Sequence, residues 1–259
     1  MNPAFIRIEK ENRVANITLC RSEKKNALND ALVAELTKAF THLENDDDVK
    51  VIVLKAEGDV FSSGADLDYL QKLQNFSFEE NLADSNSLRE LFIGMYSNKK
   101  IIIAQVEGHA IAGGCGLVTV CDFCFAVPEA KFGYTEVKIG FIPALVSVFL
   151  ARKISGTMAR ELLLTGKLIF AEEALHINLI NGVIPKDSID SHVNQFAQKL
   201  CEECSAQSLS ATKELLSKIP SMELNAALTL AANMNATSRA GEDCKKGVTA
   251  FLEKKKFKW

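Results

Sequence analysis

Residues 101–116 read Ile-Ile-Ile-Ala-Gln-Val-Glu-Gly-His-Ala-Ile-Ala-Gly-Gly-Cys-Gly. The first six, Ile101–Val106, make a short apolar run bounded by charge and glycine, the pattern of a parallel strand buried on both faces. Gly108–Gly116 is then small and glycine-rich and leads into the apolar residues Leu117–Val120. In open α/β sheets, ligands bind beyond the carboxyl ends of such strands. An earlier stretch follows the same plan. Val51–Leu54 (VIVL) precedes a polar loop, Glu57–Asp66, in which Phe61-Ser62-Ser63-Gly64-Ala65-Asp66-Leu67 joins small residues to a helix start. Small side chains let a ligand approach backbone N–H groups, and a helix N-terminus favours negative charge there. Two such segments can aim two N–H donors at one developing oxyanion. Glycine-rich turns also join strands to helices without binding anything, so each segment alone decides little. Neither contains G-x-G-x-x-G, and G-x-x-x-x-G-K-[ST] is absent, so nucleotide-binding loops of those types are a poor fit.

The flanking sequence agrees with an α/β plan. Phe5–Ile8 and Val14–Leu19 read as a hairpin with a polar turn at Glu11–Arg13. Asn29 or Asp30 caps a helix carrying Leu32, Val33, Leu36, Ala39 and Phe40 at helical spacing. Residues 79–97 form a long helical stretch. Phe123–Val127 is apolar again. The second half is mostly helical: Ala144–Lys153, Ala159–Leu164 and Ala171–His176, with Gly166 and Gly182 as stops. Then come Asp187–Glu203, Ala206–Ser217, Met222–Asn235 and Arg239–Lys255. Thr237 and Ser238 suit a capped start for the last helix.

The 259 residues are 47% apolar and 24% charged, ordinary for a globular protein with an ample core. Thirty Lys and Arg against 33 Asp and Glu leave a net charge of −3, which argues against nucleic acid as a partner. The first residues carry charge and no apolar stretch of the secretory kind, and no run reaches the length of a membrane span. Seven cysteines without an export signal point to reduced thiols and a cytoplasmic location.

Taken together and in order, these segments resemble the crotonase family, the enoyl-CoA hydratases and isomerases. The resemblance starts at RSEKKNALN (Arg21–Asn29). It continues through FSSGADL, VEGHAIAGGCGL, CDFCFA, KFGYTEVKIGFIP and LLLTGKLIFAEEA, and ends in AFLEKKKF. It implies an α/β, crotonase-like spiral core of ββα units over residues 1–190 and a helical C-terminal subdomain over 191–259 that packs between subunits. A homotrimer or a dimer of trimers is implied, as is an acyl-CoA thioester substrate. Coenzyme A enters only as part of that substrate; no other cofactor and no metal is implied. By motif match, the backbone N–H groups of Ala65 and Gly113 hold the thioester oxygen. Lys25, Ala27, Leu28, Ser63, Asp66 and Leu67 line the coenzyme A site. Phe251 and Lys254 meet its adenine, often from a neighbouring subunit. The cluster Lys254, Lys255, Lys256 and Lys258 suits the phosphates, although it equally suits a solvated helix end. Asp68 stands where the family usually has a basic residue.

A hydratase of this family typically holds water between two glutamates. One matches Glu136; the other falls at Gly116, which has no side chain for proton transfer. A base must lie within hydrogen-bond reach of its proton. Glu136, among Tyr134, Ile139 and Phe141, is expected to have a raised pKa. Two reactions fit. Either the chain is a hydratase in which water fills the space left at Gly116, or it is a 3,2-enoyl-CoA isomerase, which needs one carboxylate. The texture AGGCGL with GYTEVKIGFIPALVS is closer to the bacterial hydratase branch, including methylglutaconyl-CoA hydratase-like proteins. A non-catalytic acyl-CoA-binding homologue is the third reading. Ala144-Leu145-Val146-Ser147 is bulkier than the family's usual small residues there and would reshape the acyl pocket.

Other constellations are weaker. Cys121/Cys124 and Cys201/Cys204 are two C-x-x-C pairs too far apart for a zinc ribbon, and the first, read as strand, would point to opposite faces. Cys115 near His109 has no orienting partner and reads as a buried filler. His42, His109, His176 and His192 form no metal-type cluster.

Overall fold

A computed structural model describes residues 4–255 and 257–259. The first hairpin is β1 (Ile6–Glu11) and β2 (Val14–Leu19), joined through Asn12 and Arg13 in the left-handed region. Asn29 caps α1 (Asp30–Glu44), its side chain accepting from the Leu32 N–H, and the apolar face of α1 is buried. Then follow β3 (Val51–Ala56), β4 (Val60–Ser62), α2 (Leu67–Leu73) and α3 (Phe78–Tyr96). Next come β5 (Ile101–Val106), β6 (His109–Ile111), α4 (Gly113–Val120), β7 (Phe123–Ala126) and β8 (Lys131–Gly133).

From β3 to β8, consecutive strands alternate between two sheets. The first sheet has the order β1-β2-β3-β5-β7 and ends in β10 (Gly182–Val183); all its pairs except β1/β2 are parallel. The second has the order β4-β6-β8 and ends in β9 (Ile169–Phe170). Each winding places one strand in each sheet before the next winding begins, which is a spiral of parallel units. Gly108 lets the windings touch: a Cβ there would sit 2.2 Å from the Asp59 carbonyl oxygen.

The helices α5 (Ala144–Lys153), α6 (Gly156–Thr165) and α7 (Ala171–His176) connect back to the sheets. α8 (Lys186–Glu203) buries Ile189, Val193, Ala197 and Cys201, and Lys50 from β3's approach donates to the Cys201 and Cys204 carbonyls. The sheet-packed core therefore runs through α8, past residue 190. α9 (Ala206–Lys218), α10 (Leu224–Ala240) and α11 (Glu242–Leu252) form the helical end; α10 and α11 have no buried residue.

Several expectations change. The loop 57–66 contains strand β4, too short and polar to announce itself. Gly182 lies in a strand. Thr237 and Ser238 are interior to α10, because Glu223 caps a longer helix and Gly241 precedes α11 without a side-chain cap. Cys121 is the cap of α4, so only Cys124 of that pair is in a strand. No group of three or more potential metal ligands occurs among the described residues, and no helix among them is long and apolar enough to cross a membrane.

Candidate active site

The site begins at the carboxyl end of β2. Lys25 and Asn26 adopt left-handed backbone, folding residues 21–28 into a tight turn. Asn26 is fully buried; its amide donates to the Glu57 and Val60 carbonyls, and its side-chain oxygen accepts from the Arg21 N–H. The Arg21 guanidinium donates to the Ala27 carbonyl and lies 2.6 Å from Asp66 Oδ2. Both side chains are nearly inaccessible, and removing one partner of such a pair costs about 3–5 kcal/mol. Asp66 also caps α2 through the Asp68 and Tyr69 N–H groups. Burial raises its carboxyl, but Arg21 and those two N–H groups outweigh that and hold it below the usual carboxylate range. The Asp66 side chain is thus committed within the protein.

This turn fixes Ala65. Leu28 pairs with Ala65 in a parallel bridge, donating to the Gly64 carbonyl and accepting from the Asp66 N–H. In such a bridge the N–H of Ala65 itself faces the other way. The other side holds the second segment. A Cβ on Gly64 would lie 2.8 Å from the Ala112 Cβ and 3.6 Å from the Gly113 nitrogen. Gly113 opens α4, so its N–H has no acceptor within the helix. Ala112, at φ 49° and ψ −123°, turns the chain there, and its own N–H donates to the Gly133 carbonyl. A non-glycine residue in that region carries about 1–3 kcal/mol of strain, the kind that gathers at functional sites. Among the described residues, neither the Ala65 nor the Gly113 N–H has a backbone acceptor.

Glu136 arrives on the chain leaving β8. It opens a 3-10 turn over Glu136–Ile139, with Gly140 left-handed at its end. Its backbone carbonyl accepts from Phe141, while its Oε2 is buried with no partner. A buried polar atom left unpaired costs about 1–3 kcal/mol, so this one needs a reason. Burial raises the Glu136 carboxyl above its ordinary value, offset in part by its own backbone N–H. Burial also pushes the Cys115 thiol, in the first turn of α4, up to about 12, and the Glu136 charge adds to that rise. Ile139 and Phe141 are exposed in this chain, whereas Tyr134 is buried away from solvent with its hydroxyl on Thr119.

Gly116 leaves no space. A Cβ there would lie 2.5 Å from Val146 Cγ1 and 2.7 Å from Phe92 Cζ. The expectation of water in place of a second carboxylate fails, because side chains from α3 and α5 fill that volume. Gly116 is a packing residue in the second turn of the helix that begins at Gly113.

The remaining candidates divide. Lys25, Ala27, Leu28, Ser63 and Leu67 lie along the same turn; Ser63 donates from its backbone to the Lys25 carbonyl, and Leu67 is 77% exposed. Asp68 pairs with Lys24 across this surface at 2.9 Å. Phe251 and Lys254 are not brought to the site within one chain. The end of the chain packs by Arg13, which donates to the Trp259 carbonyl, at the amino end of β2. Phe251 is 82% exposed. Lys256 lies outside the described residues. The sequence reading missed Arg21 and Asn26 as side-chain organisers, and Phe92. The one available signal for the first two was a buried-type turn rich in polar residues between two apolar runs.

Two alternating sheets wound from parallel strands, with a helical C-terminal region, are the architecture of crotonase-type acyl-CoA enzymes. The enoyl-CoA hydratase/isomerase family profile matches residues 9–259. A Thermus thermophilus protein carrying an enoyl-CoA hydratase name is 40% identical over 97% of this chain and 98% of its own. A crotonyl-CoA hydratase of Syntrophomonas wolfei is 32% identical over 96% and 95%. The crystal structure of an enoyl-CoA hydratase from Shewanella pealeana superposes with a TM-score of 0.94 at 31% identity, covering 100% of this chain and 97% of that one. The chain belongs to the enoyl-CoA hydratase/isomerase family.

Proposed function

We propose that the chain hydrates a 2-enoyl-CoA thioester with Glu136 as its one acid–base group. The buried Oε2 of Glu136, which has no hydrogen-bond partner, supports this reading most directly, together with two N–H groups, of Ala65 and Gly113, that have no backbone acceptor among the described residues. The Ala65 and Gly113 N–H groups hold the thioester oxygen. Water attacks C3 while the Glu136 carboxylate takes a water proton. The π electrons move toward the thioester oxygen as an enolate, which the two donors stabilise. Removing one such donor costs on the order of 3 kcal/mol in comparable enzymes. The enolate then takes the proton from Glu136 at C2, so a single carboxylate closes the proton balance. The names of the relatives favour hydration.

Double-bond migration from a 3-enoyl to a 2-enoyl thioester is the second reading. The apolar filling of Gly116 by Phe92 and Val146 favours it, because no second carboxylate stands there to fix water. Mass analysis separates the two. Gain of one water from 2-enoyl-CoA supports hydration; conversion of 3-enoyl-CoA at constant mass replaces it with isomerisation.

Lys25, Ala27, Leu28, Ser63, Asp66 and Leu67 line the coenzyme A path, Asp66 through its backbone. Phe251 and Lys254 act from a neighbouring subunit. The exposed Leu224 and Leu228 of α10 suit a homotrimer or dimer of trimers; a monomer in light scattering would count against it. The free thiols of all seven cysteines fit the reducing cytoplasm.

Glu136 must be ionised to take the first proton. Its carboxyl is raised by burial, so the acid limb of kcat/KM for hydration falls above the ordinary glutamate range. Activity is lost as pH drops through that raised value. An acid limb at or below pH 4 would contradict the assignment.

A further inference from the structure

Tyr134 has no place in the chemistry above, yet it is among the largest fully buried side chains. It sits two residues before Glu136, on the segment that leaves β8. Its hydroxyl lies 2.5 Å from Thr119 Oγ1 on α4. Thr119 has one hydroxyl proton, and that proton goes to the Cys115 carbonyl at 2.7 Å. The Tyr134 O–H is therefore the donor and Thr119 the acceptor. Burial keeps the Tyr134 hydroxyl far above its ordinary pKa, so it remains a donor at any working pH. One residue earlier, the Gly133 carbonyl accepts from the Ala112 N–H at 2.8 Å, just before the helix start. The Glu136 segment is thus pinned to α4 through two adjacent residues: by backbone at the helix cap, Ala112, and by the tyrosine about two turns deeper, at Thr119. Beyond them Glu136 has no side-chain partner of its own to fix it; its Oε2 is unpaired.

We propose that Tyr134, through Thr119, is a positioning residue that sets Glu136 against the Gly113 N–H, so that proton transfer and enolate stabilisation act on one substrate. The inference rests on Glu136 being the acid–base group, though on neither reaction in particular. A buried tyrosine needing only a hydroxyl partner could take any carbonyl; this one reaches the helix that opens with Gly113. A displacement of about 1 Å in such a pair costs up to about a hundredfold in rate.

The test uses Tyr134→Phe, which keeps the ring, with Thr119→Val and Thr119→Ser. For whichever enoyl-CoA reaction the wild type performs, Tyr134→Phe is expected to lower kcat about tenfold or more, with KM within about twofold. Thr119→Val should do the same, Thr119→Ser should keep wild-type kcat, and the double variant Tyr134→Phe/Thr119→Val should be no worse than the poorer single. A second readout needs no turnover. Carbon-13 NMR titration of the Glu136 carboxyl, assigned by its loss in Glu136→Gln, should move down toward the ordinary glutamate range in Tyr134→Phe as the segment loosens. Lower thermal stability with unchanged kcat and unchanged Glu136 titration would overturn the inference and leave Tyr134 a core residue. If the wild type turned over no enoyl-CoA, the functional reading would fail while the titration still judged the positioning role.

Discussion

Glu136→Gln is expected to lower turnover by about 10²–10⁴-fold while the affinity for a coenzyme A thioester stays within about twofold. The amide keeps the shape and volume of the carboxylate but can neither take a proton from water nor return one to C2. The residues proposed to line coenzyme A lie elsewhere, along the turn Lys25–Leu28 and Ser63–Leu67, held by the Arg21–Asp66 pair and by Asn26. The loss should therefore appear in kcat, as it does when an interaction made only in the transition state is removed. The variant should also fold at least as well, since Oε2 is buried without a partner and a neutral group is less costly there. Steady-state kinetics with a matched calorimetric titration of the thioester checks both halves. Equal binding and no turnover in either form would instead indicate a non-catalytic acyl-CoA binder.

Gly114→Ala is expected to damage the site by a different route. A Cβ at Gly114 would lie 2.5 Å from the Ser62 carbonyl oxygen and 2.6 Å from the Ser62 Cβ. These atoms belong to β4 and cannot swing aside as a flexible side chain could. The first turn of α4 must move away from β4. Overpacking of this kind costs about 1–3 kcal/mol of stability. The larger consequence is geometric: Ser62 leads directly to Gly64 and Ala65, so separating α4 from β4 separates the two N–H donors. Loss of alignment at one donor is worth about a hundredfold in rate. Gly113→Ala is the control, because its Cβ would meet only the flexible end of Leu28, at 3.0 Å. Gly114→Ala should lose far more activity than Gly113→Ala, by kinetics at a temperature where both are folded. Equal activities would mean that the approach of α4 to β4 does not set the donor pair.

Much of this was legible in the chain itself. Ile101–Val106 is a strand at the bounds its apolar run gives, and Asn29 is the cap its side chain suits. The two small-residue segments do meet, Gly64 against Ala112. What periodicity could not give is what neighbours across the fold supply. Strand β4 has three residues, fewer than any pattern needs, and is stabilised by its parallel partner β6. Phe92 lies on a helix of weak amphipathic character, and nothing local to it or to Val146 says that both end over Gly116. Asp66 reads equally as a ligand contact and as a helix cap; only its burial against Arg21 decides for the protein's own use. Thr237 and Ser238 read as a cap because their residue types suit one, but α10 continues through them.

In the proposed reaction one carboxylate, Glu136, moves a proton at C2 of a thioester whose oxygen is held by the Ala65 and Gly113 N–H groups. Hydration and isomerisation both require that proton transfer. Incubation with 3-hydroxyacyl-CoA and 3-enoyl-CoA in deuterium oxide, followed by mass and proton NMR at C2, tests it without choosing between them. Wild type is expected to place deuterium at C2 of at least one of the two, and Glu136→Gln to place none. Deuterium entering at C2 at the wild-type rate in Glu136→Gln would show that Glu136 does not move this proton.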